Sequence, residues 1–141
     1  MRSSFQLLQL FLCVLMLTIL GCGSGSSDIG TVEGVVTLDG NPVDRATIIF
    51  YPPTGRSSFG YTDENGHYSL VHSRKNNGAL IGNHRVTIST EIEKDYLNGA
   101  NTDARKETMP AKYLDPEKTD LTGTVNSGSN EIDFELKSSD F

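Results

Sequence analysis

The chain has 141 residues, of which 36% are hydrophobic, and its formal net charge is −6. This length is sufficient for one domain with one hydrophobic core. The 18 acidic residues outnumber the 12 lysines and arginines, which argues against a nucleic-acid partner because such a site needs cations to offset phosphate charge.

Residues 1–21 have the features of a secretory signal. One positive charge, Arg2, precedes an apolar run from Leu10 to Leu20 that only Thr18 interrupts. About eleven residues of helix rise only about 16 Å, whereas the hydrocarbon core of a membrane is about 30 Å thick. A short apolar core after a charged start is typical of a signal peptide rather than a transmembrane helix.

The end of this segment, Ile19-Leu20-Gly21-Cys22, resembles the bacterial lipobox. The resemblance implies that Cys22 carries a thioether-linked diacylglycerol, that cleavage follows Gly21, and that a fatty acid such as palmitate is added to the new amine. Two or three acyl chains anchor a protein stably, whereas one chain is marginal. Residues 22–28, which are rich in Gly and Ser, then form a flexible tether. We therefore expect attachment to a membrane through Cys22 in the cell envelope, at the outer membrane or periplasmic face.

Cys13 is the other cysteine of the chain, and it would leave with the signal peptide. The remaining domain, residues 29–141, would then have neither a free thiol nor a disulfide. An exported domain of this kind has to rely on its hydrophobic core for stability.

From Ile29 onward, apolar residues alternate with polar ones in short runs separated by turn signals, which predicts strands. Asp39-Gly40 predicts a hairpin turn, and we expect another at Asn126–Asn130. The seven predicted strands are 32–38, 46–51, 57–62, 67–72, 84–90, 121–125 and 131–136. Their predicted inward residues include Val32, Gly34, Val36, Leu38, Ala46, Ile48, Phe50, Val86, Ile88, Ile132, Phe134 and Leu136.

No amphipathic helix of three turns is evident after residue 28, and seven alternating strands favour a sandwich of two sheets. The predicted fold class is therefore all-β. We expect a seven-stranded antiparallel Greek-key β-sandwich of the transthyretin-like or immunoglobulin-like kind, preceded by a lipoprotein signal peptide.

Four stretches resemble the carboxypeptidase regulatory-like, or transthyretin-like, β-sandwich domain of small planctomycete-type bacterial lipoproteins. They are VEGVVTLDGNPVDRATIIFYP, GYTDENGHYSL, GALIGNHRVTI and PAKYLDPEKTDLTGTVNSGSNEIDFEL. The resemblance covers nearly all of residues 32–136 and implies a non-catalytic sandwich. In carboxypeptidases this domain accompanies a catalytic domain, which we do not find in this sequence.

Candidate catalytic and metal-binding residues are few. His67 and His72 are five residues apart on one predicted strand, so they point to opposite faces, and we interpret them and His84 as surface or strand-end residues. Asp63-Glu64-Asn65-Gly66 is similar to the start of a calcium loop, but Arg74 stands where an EF-hand needs a bidentate carboxylate. We interpret this stretch as a structural turn. We predict no catalytic residue, no metal and no cofactor.

These observations predict a membrane-anchored, non-catalytic lipoprotein with a structural or protein-interaction role, whose partners are envelope proteins. The first alternative is a ligand- or carbohydrate-binding module that uses a Tyr51/Tyr61 patch. The second is a transthyretin-like hydrolase, although the chain ends in Lys137-Ser138-Ser139-Asp140-Phe141 rather than in the Tyr-Arg-Gly-Ser type tail of hydroxyisourate hydrolases.

The longest interval between predicted strands is 91–120. Its first half, 91–107, has too few apolar residues to offset the entropy of ordering, so we expect it to be mobile and to be a place where a partner binds. In its second half we expect Tyr113 and Leu114 to dock against the edge of the sandwich. Trypsin would then cut at Lys94, Arg105 or Lys106 before Lys112.

Overall fold

The computed structural model describes residues 28–90 and 106–140, and this part of the chain is all-β, with no α-helix. Two 3₁₀ turns, Ala111–Tyr113 and Ser138–Asp140, accompany the strands. The twelve strands are β1 (Ile29–Leu38), β2 (Asn41–Pro42), β3 (Thr47–Tyr51), β4 (Ser58–Tyr61), β5 (His67–Ser69), β6 (Val71–Ser73), β7 (Asn76–Asn77), β8 (Ala79–Leu80), β9 (Gly82–Ser89), β10 (Thr122–Val125), β11 (Ser129–Glu131) and β12 (Phe134–Leu136).

The strands form two sheets, and β1 is the centre of the first. Along one side of β1 lie β8, β5 and β2, all antiparallel to it. Along its other side lie β11 and β12, which run parallel to it. Both edges of this sheet are therefore built from short pieces, which is one way in which proteins keep sheet edges from pairing with other chains.

The second sheet has the order β10-β9-β3-β4-β6-β7, and all of its pairs are antiparallel. Its centre is the pairing of β3 with β9, in which Ile48 lies opposite Ile88 and Phe50 lies opposite Val86. These residues are fully buried. Ile49, which lies between Ile48 and Phe50 on β3, and Phe59, its neighbour on β4, point to the outer face, as the two-residue period of a strand requires.

The core confirms the predicted inward faces. Phe50 lies at its centre, in edge-to-face contact with Phe134 at 6.1 Å between ring centroids. Leu38 and Ile132 are partly buried against this cluster. The buried members of the predicted set are Val32, Gly34, Val36, Ala46, Ile48, Phe50, Val86, Ile88, Phe134 and Leu136.

The turn chemistry at Asp39-Gly40 is also confirmed. Both residues have positive φ, 50° and 81°, which is the conformation of a type I′ hairpin turn. Leu38 pairs with Asn41 directly across it. The sequence Asp-Gly was therefore sufficient to place this hairpin between β1 and β2.

Each predicted strand overlaps at least one strand of the structure, although the described residues form twelve strands rather than seven. Two predictions of pairing were wrong. The predicted hairpin at Asn126–Asn130 instead carries the chain from β10 in the second sheet to β11 in the first. The predicted antiparallel arrangement fails for β11 and β12, because the end of the chain runs alongside β1 in the same direction. Alternation of apolar residues defines which face is buried, not the direction of a neighbouring strand.

The predicted strand 67–72 is divided at Leu70, where the chain changes sheets. β5 pairs with β1 in the first sheet, and β6 pairs with β4 in the second. The fully buried Leu70 donates its N–H to Val32 O at 3.0 Å. One predicted strand thus connects the two layers of the sandwich.

The segment after residue 105 packs against the sandwich through Tyr113, which is 3% exposed, as predicted. The same prediction was wrong for Leu114, which is 36% exposed, because the 3₁₀ turn directs only one of two successive side chains inward. Lys112 forms an ion pair with Asp120 at 3.1 Å. Residues 91–105 of the segment predicted to be mobile, 91–107, lie outside the described part of the chain. Its last residue, Glu107, is described and differs from the prediction, because its carboxylate is held by hydrogen bonds from Ser89 and Thr90.

Candidate functional site

The largest exposed aromatic surface that the structure describes lies on β4. Phe59 and Tyr61 are 40% and 64% exposed and contact each other edge to face, with 5.9 Å between ring centroids. They alternate with the buried Ser58 and Gly60, so both point away from the core. Beside them on this face are the half-buried Ile49 and Val71, which pair with Phe59. We call Phe59 and Tyr61 the aromatic pair.

Tyr61 also lines a cleft of about 510 Å³ at the corner where β4 leads into β5. The opposite wall is the outer face of the first sheet, with Glu33 on β1 and Glu131 on β11. Asp63, His67 and Ser69 are also part of the polar lining, which includes no lysine or arginine. We call this cavity the acidic cleft.

Glu33 and Glu131 are direct neighbours in the parallel pairing of β1 with β11. Both are exposed and both alternate with buried residues, so their carboxylates leave the same face of the sheet from strands about 4.8 Å apart. Like charges placed side by side on a sheet destabilise it. Within the described residues, neither carboxylate forms an ion pair.

A close backbone approach at Gly34 fixes this pair of strands. A Cβ atom on Gly34 would lie 2.0 Å from the carbonyl oxygen of Ile132, so only glycine fits. Around this point Ile132 donates its N–H to Glu33 O at 2.9 Å, and Val35 donates its N–H to the Asp133 carboxylate at 2.8 Å. The irregular link between β11 and β12 is thus tied to β1 next to Glu33.

Tyr68 supports the same link from beneath the acidic cleft. Its hydroxyl donates to Ile132 O at 2.6 Å. Burial, with a smaller contribution from the Asp133 charge, raises the pKa of Tyr68 well above its usual range. The hydroxyl therefore remains a hydrogen-bond donor at every physiological pH.

The floor of the corner is the turn 63–66, where the structural interpretation fits the geometry. Asp63 Oδ1 accepts the N–H groups of Asn65 and His67 at 2.8 and 3.0 Å. Gly66 has a φ of 78° and donates its N–H to Asp63 O at 2.9 Å. This Asx-type turn holds the carboxyl group of Asp63 at the cleft.

A second cleft, of about 580 Å³, lies at the other end of β3 and is lined by Tyr51, Pro52 and Pro53. Here the charges are matched, because Arg85 pairs with Glu117 at 3.2 Å and donates to Pro116 O at 3.0 Å. We call this the neutral cleft. The neutral cleft contains a cation of the protein, Arg85, next to its carboxylate, whereas the acidic cleft has no lysine or arginine.

The three histidines occupy different environments. His67 is exposed at the acidic cleft, whereas His72 is half-buried and its Nδ1 lies 3.0 Å from Ser58 Oγ. The prediction of a surface position was wrong for His84, which is 2% exposed and packs on Phe50 with 5.6 Å between ring centroids. It is in phase with Val86 and Ile88 on β9, so it points inward.

The ring of His84 forms a hydrogen bond through Nε2. Nε2 lies 2.7 Å from Leu80 O, and because a carbonyl only accepts, Nε2 carries the proton. Nδ1 is buried and has no hydrogen-bond partner among the described residues. Among the residues of known structure, no three His, Cys, Asp or Glu side chains are close enough to hold a metal ion together.

Among the described residues, the carboxylate of Glu107 accepts the most hydrogen bonds. It lies where the chain returns towards β9. It accepts hydrogen bonds from Ser89 Oγ at 2.5 Å, from Thr90 N at 3.1 Å and from Met109 N at 2.7 Å. Burial raises the pKa of Glu107, but hydrogen bonds from Ser89, Thr90 and Met109 outweigh it and lower the pKa to about 2. This contact joins the two ends of the 91–106 interval.

The predicted site residues are placed as follows. Cys22 and its tether lie outside the described residues, except for Asp28. Tyr51 and Tyr61 are not one patch, because Tyr61 pairs across from Thr47 and Tyr51 is four residues further along β3, which is about 13 Å. Phe59 lies between them on the outer face.

Sequence reasoning missed the pairing of Glu33 with Glu131. Both positions were predicted to lie on strands, and Glu33 was predicted to face outward. What was lacking was the neighbour relation between the first and last strands, since alternation does not encode it. Glu107 gave no signal at all, because its partners are hydroxyl and backbone groups brought together by the fold.

In the part of the chain with described coordinates, no helix is long and apolar enough to cross a membrane. No protein-family model matches the chain, and a search of the curated proteins finds no match.

Proposed function

We propose that this protein is a lipid-anchored, non-catalytic β-sandwich that holds another protein at the cell envelope. The observation that carries the proposal is the aromatic pair, with Tyr61 64% exposed and Phe59 40% exposed on the outer face of the second sheet. Tyrosine and phenylalanine are enriched at protein interfaces, where they bury a large area at a low cost in side-chain entropy.

The anchor is the second part of the proposal. Cys22 ends an apolar segment in the sequence Leu20-Gly21-Cys22, and a Gly/Ser-rich tether leads from it to β1. Acyl chains on Cys22 would hold the sandwich close to a membrane, while the tether would let it turn to meet a partner. Two weak interactions, one with lipid and one with protein, would then reinforce each other through a high local concentration.

We also propose the finer description of the fold. The two sheets and their mostly antiparallel pairs support a Greek-key sandwich of the transthyretin-like kind. The position of Gly34 under Ile132 gives one physical reason for a residue of the carboxypeptidase regulatory-like pattern. Membership of that domain family, as found in small lipoproteins, remains our proposal.

A carbohydrate-binding module is less well supported. Flat sugar rings stack on aromatic platforms, but Phe59 and Tyr61 meet at an interplanar angle of 72° and Tyr51 is in the neutral cleft. Binding of the purified protein to a glycan array at micromolar concentration, lost in Tyr61→Ala, would favour this alternative over a protein partner.

Site-specific cross-linking in living cells tests the docking role. A photoreactive phenylalanine analogue replaces Phe59 in one strain and Glu135, which is exposed on β12, in a control strain. We expect a discrete adduct from position 59 that disappears when Tyr61→Ala is added, and none from position 135. Equal adducts from both positions, or none from position 59, would contradict the proposal.

Metabolic labelling with a clickable fatty acid tests the anchor. The wild-type chain is expected to take up the label and to sediment with membranes. Cys22→Ala is expected to lose both properties, whereas Cys22→Ala should not change the melting temperature of the sandwich, since Cys22 precedes β1. An unlabelled wild-type chain would remove the lipid anchor from the proposal.

A further inference from the structure

We propose that the docking surface recognises a basic segment of its partner, with a lysine or arginine side chain entering the acidic cleft and lying against Tyr61. This inference rests on the proposed function, and it names the chemistry of the partner. The aromatic pair supplies the contact area, and the cleft beside it determines which partner fits.

The first argument is charge. Glu33, Asp63 and Glu131 line the acidic cleft together with His67, and no lysine or arginine does so. Four carboxylates elsewhere on the described surface are paired with the protein's own cations, in Arg45–Asp44, Lys118–Asp115, Lys112–Asp120 and Arg85–Glu117. The acidic cleft is therefore complementary to a cation that comes from outside.

The second argument is the cost that the fold bears. Glu33 and Glu131 are neighbours on adjacent strands, where like charges lower stability. A cation placed between them would convert this repulsion into two attractions. Relief of the repulsion between the two carboxylates would therefore add to the binding free energy. This behaviour is expected of a site whose charges are balanced only when its partner is bound.

The third argument is the ring of Tyr61. Aromatic faces attract lysine and arginine side chains that lie within about 6 Å of the ring centroid. Lys112 already lies 4.8 Å from the centroid of Tyr113 in this protein, so the same contact is formed internally. Tyr61 is exposed and lines the cleft with the carboxylates, which places a cation-binding ring and two carboxylates around one cavity.

Other occupants fit less well. A second copy of the chain would bring two acidic clefts together, and each chain carries a net charge of −6. A single divalent ion needs several ligands within about 2.6 Å of it, whereas no three acidic, histidine or cysteine side chains of the described residues are placed to hold one ion together. A peptide can instead distribute its charges over the length of the cleft.

Fluorescence anisotropy with a labelled dodecapeptide of alternating lysine and serine tests the inference. The titrant is the full chain in nonionic detergent at low salt. Two matched peptides carry acetyl-lysine or glutamate in place of lysine. We expect binding of the lysine peptide only, and a fall in affinity as salt rises because screening weakens exposed charge pairs.

Two variants of equal charge locate the site. Glu33→Gln/Glu131→Gln is expected to raise the Kd by about tenfold, while Asp28→Asn/Glu135→Gln, which removes two exposed carboxylates outside the cleft, should leave it within about twofold. Tyr61→Ala should weaken binding, and Tyr61→Phe should restore it, because the ring face rather than the hydroxyl makes the contact.

The outcomes separate this inference from the proposed function. Failure of the lysine peptide to bind, or equal loss in both charge variants, would overturn the basic partner. Dimerisation of the chain would also overturn it, in favour of a second copy as the occupant. Competition by calcium chloride at micromolar concentration would overturn it in favour of a divalent ion. A cross-link at position 59 that persists in Glu33→Gln/Glu131→Gln would leave the docking role intact with a partner of another chemistry.

Discussion

Two sets of carboxylates in this protein differ in how the fold treats them. Glu107 receives hydrogen bonds from Ser89, Thr90 and Met109 and has a pKa of about 2. Glu33 and Glu131 stand side by side on the first sheet and form no ion pair with the described residues. The first carboxylate contributes to folding, whereas the second set opposes it.

The two clefts show the same contrast. In the neutral cleft, Arg85 is matched by Glu117 and by the carbonyl of Pro116. In the acidic cleft, three carboxylates face a cavity with no lysine or arginine in its lining. A charge that is paired within the protein, as Arg85 is, stabilises the fold. Like charges that lie together beside exposed aromatic rings do not stabilise it, and we explain their placement by binding. The predictions below test this contrast in order of expected effect.

Gly34→Val is expected to have the largest effect, because it would separate β1 from the link between β11 and β12. A Cβ at this position would overlap the carbonyl oxygen of Ile132, which is backbone and cannot move aside. We expect a loss of more than about 4 kcal/mol in the free energy of unfolding, measured by urea denaturation. Gly40→Ala is the matched control, since nothing lies within 4 Å of its Cβ position, although its φ of 81° should still cost about 1 kcal/mol.

Glu107→Gln comes next, with an expected loss of about 1–2 kcal/mol because an amide N–H₂ would face hydrogen-bond donors. The loss depends on pH. The folded-state pKa is lowered from 4.5 to about 2, so the stabilisation is complete above about pH 4.5 and disappears as the pH falls towards 2. Melting temperatures of wild type and Glu107→Gln should therefore differ at pH 7 and converge near pH 2. A constant difference over this range would assign the effect to packing rather than to charge.

Tyr51→Ala and Tyr61→Ala compare the two clefts directly. Tyr51 is half-buried, so its loss should lower the free energy of unfolding by about 1 kcal/mol without changing affinity for the lysine peptide. Tyr61 is 64% exposed, so its loss should change stability by less than about 0.5 kcal/mol while weakening binding. If Tyr51→Ala weakened binding of the lysine peptide more than Tyr61→Ala does, the two clefts would not differ in function as we propose.

Glu33→Gln/Glu131→Gln should have a small effect on stability, and one of opposite sign to the destabilising substitutions above. Removing the like charges is expected to raise the free energy of unfolding by about 0.2–1 kcal/mol, and the gain should shrink in high salt. Chemical denaturation at two salt concentrations measures it. A loss of stability would show that these carboxylates support the fold and would remove the second argument for the basic partner.

Much of the fold follows from the sequence. Alternation identified the buried residues of β1, β3, β9 and β12, and Asp39-Gly40 identified the first hairpin. What could not be derived is how strands from distant parts of the chain become neighbours, as β1 and β11 do, because that arrangement depends on the packing of the whole core. His84 shows the same limit, since a histidine in phase with Val86 and Ile88 looks polar in the sequence yet is buried.

The candidate site was less predictable than the fold. The alternating pattern could indicate that Glu33 faces outward, but not that Glu131 lies beside it or that Tyr61 of the other sheet faces both. Tyr51 and Tyr61 were grouped by residue type, whereas the register of β3 with β4 separates them. Sites at the junction of two sheets are assembled from separate segments, so they become visible only after the pairing is known.

The most direct test of the account is a map of backbone amide chemical shifts during titration of the isotope-labelled chain with the lysine peptide. The account predicts saturable shifts at Glu33, Tyr61, His67 and Glu131, with no change at Tyr51, Arg85 or Glu117. Shifts centred on the neutral cleft, or small shifts spread evenly over all acidic residues, would contradict the claim that the acidic cleft and the aromatic pair form the docking site.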